Sequence, residues 1–306
     1  MRSLTLWLAV AVAGAPLARG PAGALRAQEA SRTRVVVLGS GNPVADPNRA
    51  GPAVVVLVDD TPYLFDVGVG VVRRWAAATR MGIAQVELGS LRTVFVTHLH
   101  SDHTLGYADL ILTPWTLSRG RIRPLAVYGP PGVREMTDHL LAAYSEDIAV
   151  RTGKGGDLED AQGPVVAVHE IEPGVVYRDS LVEVTAFAVP HGSWRYAFGY
   201  RIETPDRVVV LSGDTGPTDV VAEHCDGCDL LFYEGSVLTE ASATSYYRRF
   251  HSTAEEVARA AGLARPKLLV LYHQRPDGPE AEAAYAVLRS RYAGPFVVAR
   301  DLDVFR

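Results

Sequence analysis

The chain has 306 residues, 48% of them apolar and 21% charged, with a formal net charge of −5. That is the composition of an ordinary soluble globular protein, long enough for one large domain or two small ones. An acidic total is poorly suited to hold polyanions, which want clustered lysine and arginine.

Arg2 is followed by an apolar run from Leu4 to Leu17 and by small residues at Ala22-Gly23-Ala24 and near Ala27. This layout predicts a secretory signal over residues 1–27 and a periplasmic or secreted mature protein. The run is too short to span a bilayer comfortably, and no later stretch reaches the ~18 apolar residues of a membrane helix. Removing residues 1–27 deletes three arginines and no acid, so the formal charge moves from −5 to −8.

The valine-rich segment 34–38 predicts a buried strand that ends in Gly39-Ser40-Gly41-Asn42-Pro43. This glycine stretch lacks the lysine-serine ending of a phosphate loop, and no helical segment follows directly. Strands 53–58 and 62–65 are joined through Asp59-Asp60, a hairpin signal. A helix is expected over 69–79, a strand over 93–97, a helix over 105–115, a strand over 125–128 and one long helix over 132–150. Residues 151–164 are polar and glycine-rich and predict a surface loop. Strands follow over 165–171, 181–189, 197–204, 207–212, 230–233, 268–272 and 295–298. Helices are expected near 218–224, 253–262 and 279–291. Two halves, each strand-rich and then helical, predict two sheets face to face with helices outside, in one domain over 28–306.

Nine histidines are present. His98, His100 and His103 fall with Asp102 in a six-residue H-x-H-x-D-H run after the strand 93–97. Imidazole and carboxylate are the ligands of Zn²⁺, Fe and Mn sites. In extended chain His98 and His100 point to one side, while Asp102 and His103 fall where the chain turns into a helix. Three later strand ends offer the ligands that such a run lacks: Pro190-His191, Ser212-Gly213-Asp214-Thr215 and Tyr272-His273. This is the pattern of a metal-dependent hydrolase. His139, His169 and His224 lie in helix or strand patterns without partners and read as surface or packing residues. Trp115 and Trp194 are open to either a pocket or a packing role. Cys225 and Cys228 stand alone as C-x-x-C, which excludes a four-cysteine zinc site within one chain and leaves a local disulfide or two thiols.

The order H-x-H-x-D-H, Pro-His, Ser-Gly-Asp-Thr, Tyr-His resembles the metallo-β-lactamase-fold hydrolases. Leu38 to Pro43, Leu64-Phe65-Asp66-Val67-Gly68 and His251-Ser252-Thr253-Ala254-Glu255-Glu256 add to the likeness, which runs over most of residues 34–275. Within the superfamily the chain resembles the branch of transfer-RNA 3′-end-processing (ribonuclease Z-like) endonucleases and arylsulfatase-type hydrolases. The resemblance implies an α/β fold, an αββα sandwich of two mixed sheets with outer helices and two metals at one edge. His98, His100 and His191 would hold the first metal, Asp102, His103 and His273 the second, and Asp214 would bridge them. Asp66 would orient a ligand. The two ions, Zn²⁺ with Mn²⁺ or Fe as alternatives, would lower the pKa of a shared water, which Asp102 could orient or deprotonate. His251 matches a residue near the leaving group in the endonuclease branch, where it could donate a proton, and Glu234 in Tyr233-Glu234-Gly235-Ser236 resembles the acid of that branch's His-Glu-Ala segment, although Tyr233 stands where that branch often has His.

The chemistry expected on these grounds is hydrolysis of a small ester: a sulfate ester, phosphodiester or lactone. Nucleic acid is not expected as a partner, because of the export signal, the acidic charge and the absence of a basic arm. The loop 151–164 has Arg151 and Lys154 against Asp157, Glu159 and Asp160. A transfer-RNA 3′-end-processing endoribonuclease is the first alternative and a non-catalytic metal-binding protein the second. No membrane span follows the signal, and the oligomeric state stays open between monomer and homodimer.

Overall fold

A computed structural model describes residues 31–83, 87–117, 124–159, 164–235 and 238–306. The signal segment 1–27 lies outside the described residues.

The valines of β1 (Thr33–Gly39) and β2 (Ala53–Val58) point alternately to opposite faces of a sheet. Val35, Val37, Val54 and Val56 enter the layer between two sheets, and Val36, Leu38, Val55 and Leu57 enter a second layer under helices. A strand covered on both faces reads as a continuous apolar run. The hairpin from β2 to β3 (Thr61–Phe65) turns at Asp59 and Asp60, both left-handed at φ 46° and 65°. Two positive φ values match the right-handed twist of the strands they join.

The first sheet continues in parallel through β4 (Thr93–Phe95), β5 (Leu125–Gly129) and β6 (Val166–Glu170). The crossovers carry α1 (Val71–Arg80), α2 (Ser101–Thr104), α3 (Tyr107–Thr116), α4 (Val133–Ala143) and α5 (Ser145–Thr152). The second sheet opens antiparallel with β7 (Gly174–Arg178), β8 (Glu183–Ala188), β9 (Phe198–Glu203) and β10 (Val208–Leu211). It goes on in parallel with β11 (Leu230–Glu234), β12 (Leu268–Tyr272) and β13 (Phe296–Val298). Over it lie α6 (Val220–Cys225), α8 (Ala254–Ala264) and α9 (Pro279–Arg291), and the single-turn α7 (Tyr247–Phe250) precedes α8. The last strand, β14 (Val304–Phe305), returns to the first sheet and pairs with β1. The result is two mixed seven-stranded sheets flanked by helices, the expected αββα sandwich. Residues 31–306 form one compact unit.

Several boundaries differ from expectation. Strand β4 stops at Phe95, and the Thr97 amide donates to Asp66 Oδ1 at 2.8 Å instead of continuing the ladder. The long helix expected over 132–150 divides at Tyr144, and the second piece begins with Ser145-Glu146-Asp147. Acids in a first turn favour a new helix start there. The short strands β7 and β14 and the single-turn α7 have no counterpart in the expected elements. Cys225 and Cys228 are joined as a disulfide at the end of α6. No helix among the described residues is long and apolar enough to cross a membrane.

Phe65 and Phe95 stack at 4.8 Å between the sheets, with the Tyr200 ring edge-on to Phe65 at 5.5 Å. Phe95 is fully buried. Phe95→Ala should therefore cost about 3–5 kcal/mol in denaturant unfolding. A loss below about 1 kcal/mol would mean that the inter-sheet layer closes over the missing ring.

Candidate metal centre

The strands of both sheets end at one edge of the sandwich, and the ends carry the ligand-type residues. The H-x-H-x-D-H run leaves β4 in extended form and enters α2. His191 follows β8, Asp214 follows β10 and His273 follows β12. Gly213 sets the placement of Asp214. Its φ is +61°, and a Cβ there would meet the Phe198 carbonyl oxygen at 2.5 Å, so only glycine fits this turn.

Two groups result. His98, His100, His191 and Asp214 offer ligand atoms within 4.8 Å of one another, as do Asp102, His103 and His273. Asp214 touches the second group as well: Oδ1 is 3.3 Å from His103 Nε2, and Oδ2 is 3.4 Å from His273 Nε2. His98, His103, His191, His273, Asp102 and Asp214 are all buried.

The outer hydrogen bonds decide which ring nitrogens face inward. His191 Nδ1 donates to the Phe250 carbonyl at 2.7 Å, which leaves an Nε2 lone pair directed at the cluster. His103 Nδ1 donates to Asp66 Oδ2 at 2.8 Å with the same consequence. Asp66 also accepts from the Thr97 amide and hydroxyl, so one carboxylate fixes both the strand end and the imidazole. Asp66 and His273 are themselves left-handed, at φ 59° and 58°. Such backbone persists in non-glycine residues where the surroundings over-determine it.

The chemistry of this donor set fits a pair of cations. His100 Nδ1 lies 2.9 Å from His98 Nε2 and 3.0 Å from His191 Nε2, three basic nitrogens around one point. His103 Nε2 and Asp214 Oδ1, 3.3 Å apart, are buried and form no well-directed hydrogen bond among the described residues. Burial holds the imidazoles of His100 and His191 down to about 4, so both are neutral ligands near pH 7. At His103 burial is outweighed by Asp214, Asp66 and Asp102, whose negative field holds the ring well above the usual imidazole range. A cation satisfies a field of that sign.

Glu234 and His251 adjoin the cluster. His251 Nδ1 lies 2.5 Å from Glu234 Oε2, and Glu234 Oε1 accepts from the amides of Thr215 and Ser252. Burial disfavours charge on His251, but the Glu234 carboxylate outweighs it and pushes the ring up to about 9. Thr253 caps α8 directly after this histidine in a reciprocal box with Glu256. Trp115 is buried in α3, whereas Trp194 is only partly buried and stands beside His100. His139 is an exposed helix residue, His169 stacks on Tyr128 and His224 on Phe187. The residues whose roles the sequence did not disclose are Thr97, which ties Asp66 to the run, Phe250 beside His191, and Tyr246 beside Phe250. Their signal, Tyr246-Tyr247-Arg248-Arg249-Phe250 just ahead of His251, is visible only once position 251 is known to matter.

A family model described as a β-lactamase superfamily domain matches residues 61–274. A protein named Ribonuclease Z from Mycobacterium sp. (strain KMS) is 36% identical over 267 residues, covering 86% of this chain and 90% of that one. The chain belongs to the metallo-β-lactamase superfamily, on its ribonuclease Z-like branch. Its fold is also that of the short form of human tRNase Z, with a TM-score of 0.66 at 24% identity over 89% of this chain and 98% of the other. YhfI from Bacillus subtilis, titled a metallo-β-lactamase fold protein, gives a TM-score of 0.69 at 18% identity, covering 90% of this chain and all of that one. A superfamily member of this kind is a metal-dependent hydrolase acting on ester bonds.

These relatives correct one expectation. A small-molecule ester with nucleic acid excluded does not agree with curated Ribonuclease Z relatives that match along nearly their whole length. The exclusion used the export signal, the lack of a basic arm and a net charge summed over the chain. A sum carries no information about where charge is placed, and Arg195, Arg248 and Arg249 flank Trp194 and Phe250 at the mouth.

Trp194 Nε1 lies 2.7 Å from His100 Nε2. An indole N–H only donates, so this contact places the ring proton of His100 on Nδ1. Ligation through Nδ1 moves that proton to Nε2 and turns the indole away. Adding Zn²⁺ to chelator-stripped protein should therefore shift tryptophan emission, and Trp194→Phe should remove the shift. An identical shift in the variant would place the response elsewhere.

Proposed function

We propose that the protein is a two-metal endoribonuclease that hydrolyses a phosphodiester bond at the 3′ end of transfer RNA. One observation carries the reading: half-buried His251, paired with buried Glu234, sits beside two converging ligand sets, in a chain with Ribonuclease Z relatives at 36% identity.

Two divalent ions, with zinc the choice best suited to this histidine and carboxylate set, would be held by His98, His100 and His191 and by Asp102, His103 and His273, with Asp214 between, and would supply Lewis acidity and an acidified water. Asp102, whose Oδ2 lies 3.0 Å from His273 Nε2, is placed to orient the attacking water. Asp66 holds His103 through the reaction without contacting the substrate. His251, kept protonated by Glu234, is placed to give its proton to the leaving alkoxide as the bond from phosphorus to that oxygen breaks and the bond to the water oxygen forms. The proton then returns from the attacking water by way of the medium, and the pair is reset.

Export is a separate proposal, and the choice of transfer RNA as substrate does not rest on it. It is supported by the charged start and apolar run of residues 2–17, and by the Cys225–Cys228 disulfide, a bond that persists in oxidising compartments.

Purified mature protein should shorten a precursor transfer RNA at its 3′ end, and Asp214→Ala should abolish the cut. Wild-type protein that leaves such RNA intact while hydrolysing bis(p-nitrophenyl) phosphate would overturn the substrate reading. His251→Ala should lower kcat on RNA by about 10²–10⁴, the range of a lost general acid. The loss should be much smaller on bis(p-nitrophenyl) phosphate, whose nitrophenolate leaves without a proton. Equal losses on the two substrates would remove His251 from the proton-transfer role.

A further inference from the structure

A ledge of aromatic rings leads from the metal-ligand histidines to solvent. Phe250 lies 5.3 Å from the His191 ring and 6.4 Å from the His100 ring, centroid to centroid. Tyr246 follows at 4.9 Å from Phe250, with the planes 36° apart. The two are four residues apart, so the turn of α7 puts them on one face, and Tyr247 is buried on the other. Tyr246 is 66% exposed, so its ring face is open to a flat partner. The Arg249 guanidinium sits 5.8 Å from the centroids of both rings. It makes no ion pair among the described residues, so its charge is available to an anion.

The ledge is tied to the centre by its backbone. The Phe250 carbonyl accepts from His191 Nδ1, and the Arg249 carbonyl accepts from the Gly192 amide at 2.7 Å. The Tyr247 hydroxyl donates to the Ser252 carbonyl, next to His251. A nucleotide seated here is therefore held in register with both a ligand histidine and the candidate acid.

We infer that Tyr246, Phe250 and Arg249 form a stacking subsite for a nucleobase of the RNA strand adjacent to the scissile phosphodiester, with Arg249 facing the neighbouring phosphate. An exposed aromatic face with an unpaired arginine is the chemistry that binds unstacked single-stranded bases. A folded helical stem offers no free base face, so the subsite takes the single-stranded end. The inference rests on the endoribonuclease reading for the identity of the strand, and on the ledge alone for stacking.

The test uses the metal-loaded mature protein and an RNA hairpin with a single-stranded 3′ tail carrying 2-aminopurine at successive tail positions. Stopped-flow mixing should show quenching at one position before cleavage. Tyr246→Ala should abolish that quench and lower kcat/KM on RNA about tenfold, within the range for one lost base stack. Tyr246→Trp should restore both. The ratio of kcat/KM on RNA to that on bis(p-nitrophenyl) phosphate, which has no nucleobase, should fall in step. Absence of quenching at every position, persistence of the quench in Tyr246→Ala, or an unmoved substrate ratio would each overturn the subsite. Quenching without cleavage would overturn the endoribonuclease reading and uphold the subsite.

Discussion

A single buried carboxylate at the end of β3 holds the edge of the first sheet in working form. Asp66 Oδ1 accepts the Thr97 amide, Oδ2 accepts His103 Nδ1, and the Asp66 amide donates to the Phe95 carbonyl. The next residue extends the grip: the Val67 amide donates to the His103 carbonyl, and the Val67 carbonyl accepts from the Gly106 amide. The chain between β4 and α3 is thereby clamped at both ends. A carboxylate can be buried at this depth because hydrogen-bond donors surround it.

That clamp explains why six consecutive residues can serve two ligand groups. His98 and His100 leave the strand toward one group, and the turn into α2 carries Asp102 and His103 to the other. Neither group is complete within the run. His191, Asp214 and His273 come from three strand ends of the second sheet, so the centre forms only where the two sheets meet. Aromatic packing between them, with Phe95, Tyr200 and Phe65 in contact, holds the halves that each sheet contributes to a ligand set at a fixed distance. The core is in this sense part of the chemistry.

The charged neighbours of the centre divide into two tasks. Carboxylates facing His103 create a field suited to cations, while Glu234, next to Asp214, engages His251. The separation between the roles depends on which lone pairs are already taken by backbone amides, as at Glu234 Oε1 with Thr215 and Ser252.

Much of this was legible in the amino-acid order. Valine runs such as Val54–Val58 announce strands covered on both faces, Asp59-Asp60 announces a hairpin, and the histidine run followed by three polar strand ends announces a metal centre. These are local signals, because strand periodicity, turn chemistry and ligand type belong to neighbouring residues. Other features depend on residues that meet only after folding. The end of β4 at Phe95 is tied to a bond between Thr97 and Asp66, which stand 31 positions apart in the chain. The pairing of β14 with β1 joins the two ends of the described chain. The misplaced exclusion of nucleic acid drew on an export signal, a summed charge and the lack of a basic arm, none of which tells where an arginine stands after folding; Arg249 lies over Tyr246 and Phe250. The sequence by itself determined the element types, the superfamily and the residues able to bind metal. The tertiary structure alone decided which ring nitrogens face inward, which carboxylate holds which imidazole, and where the few arginines of an acidic chain stand, because each of these is set by distances between residues far apart along the backbone.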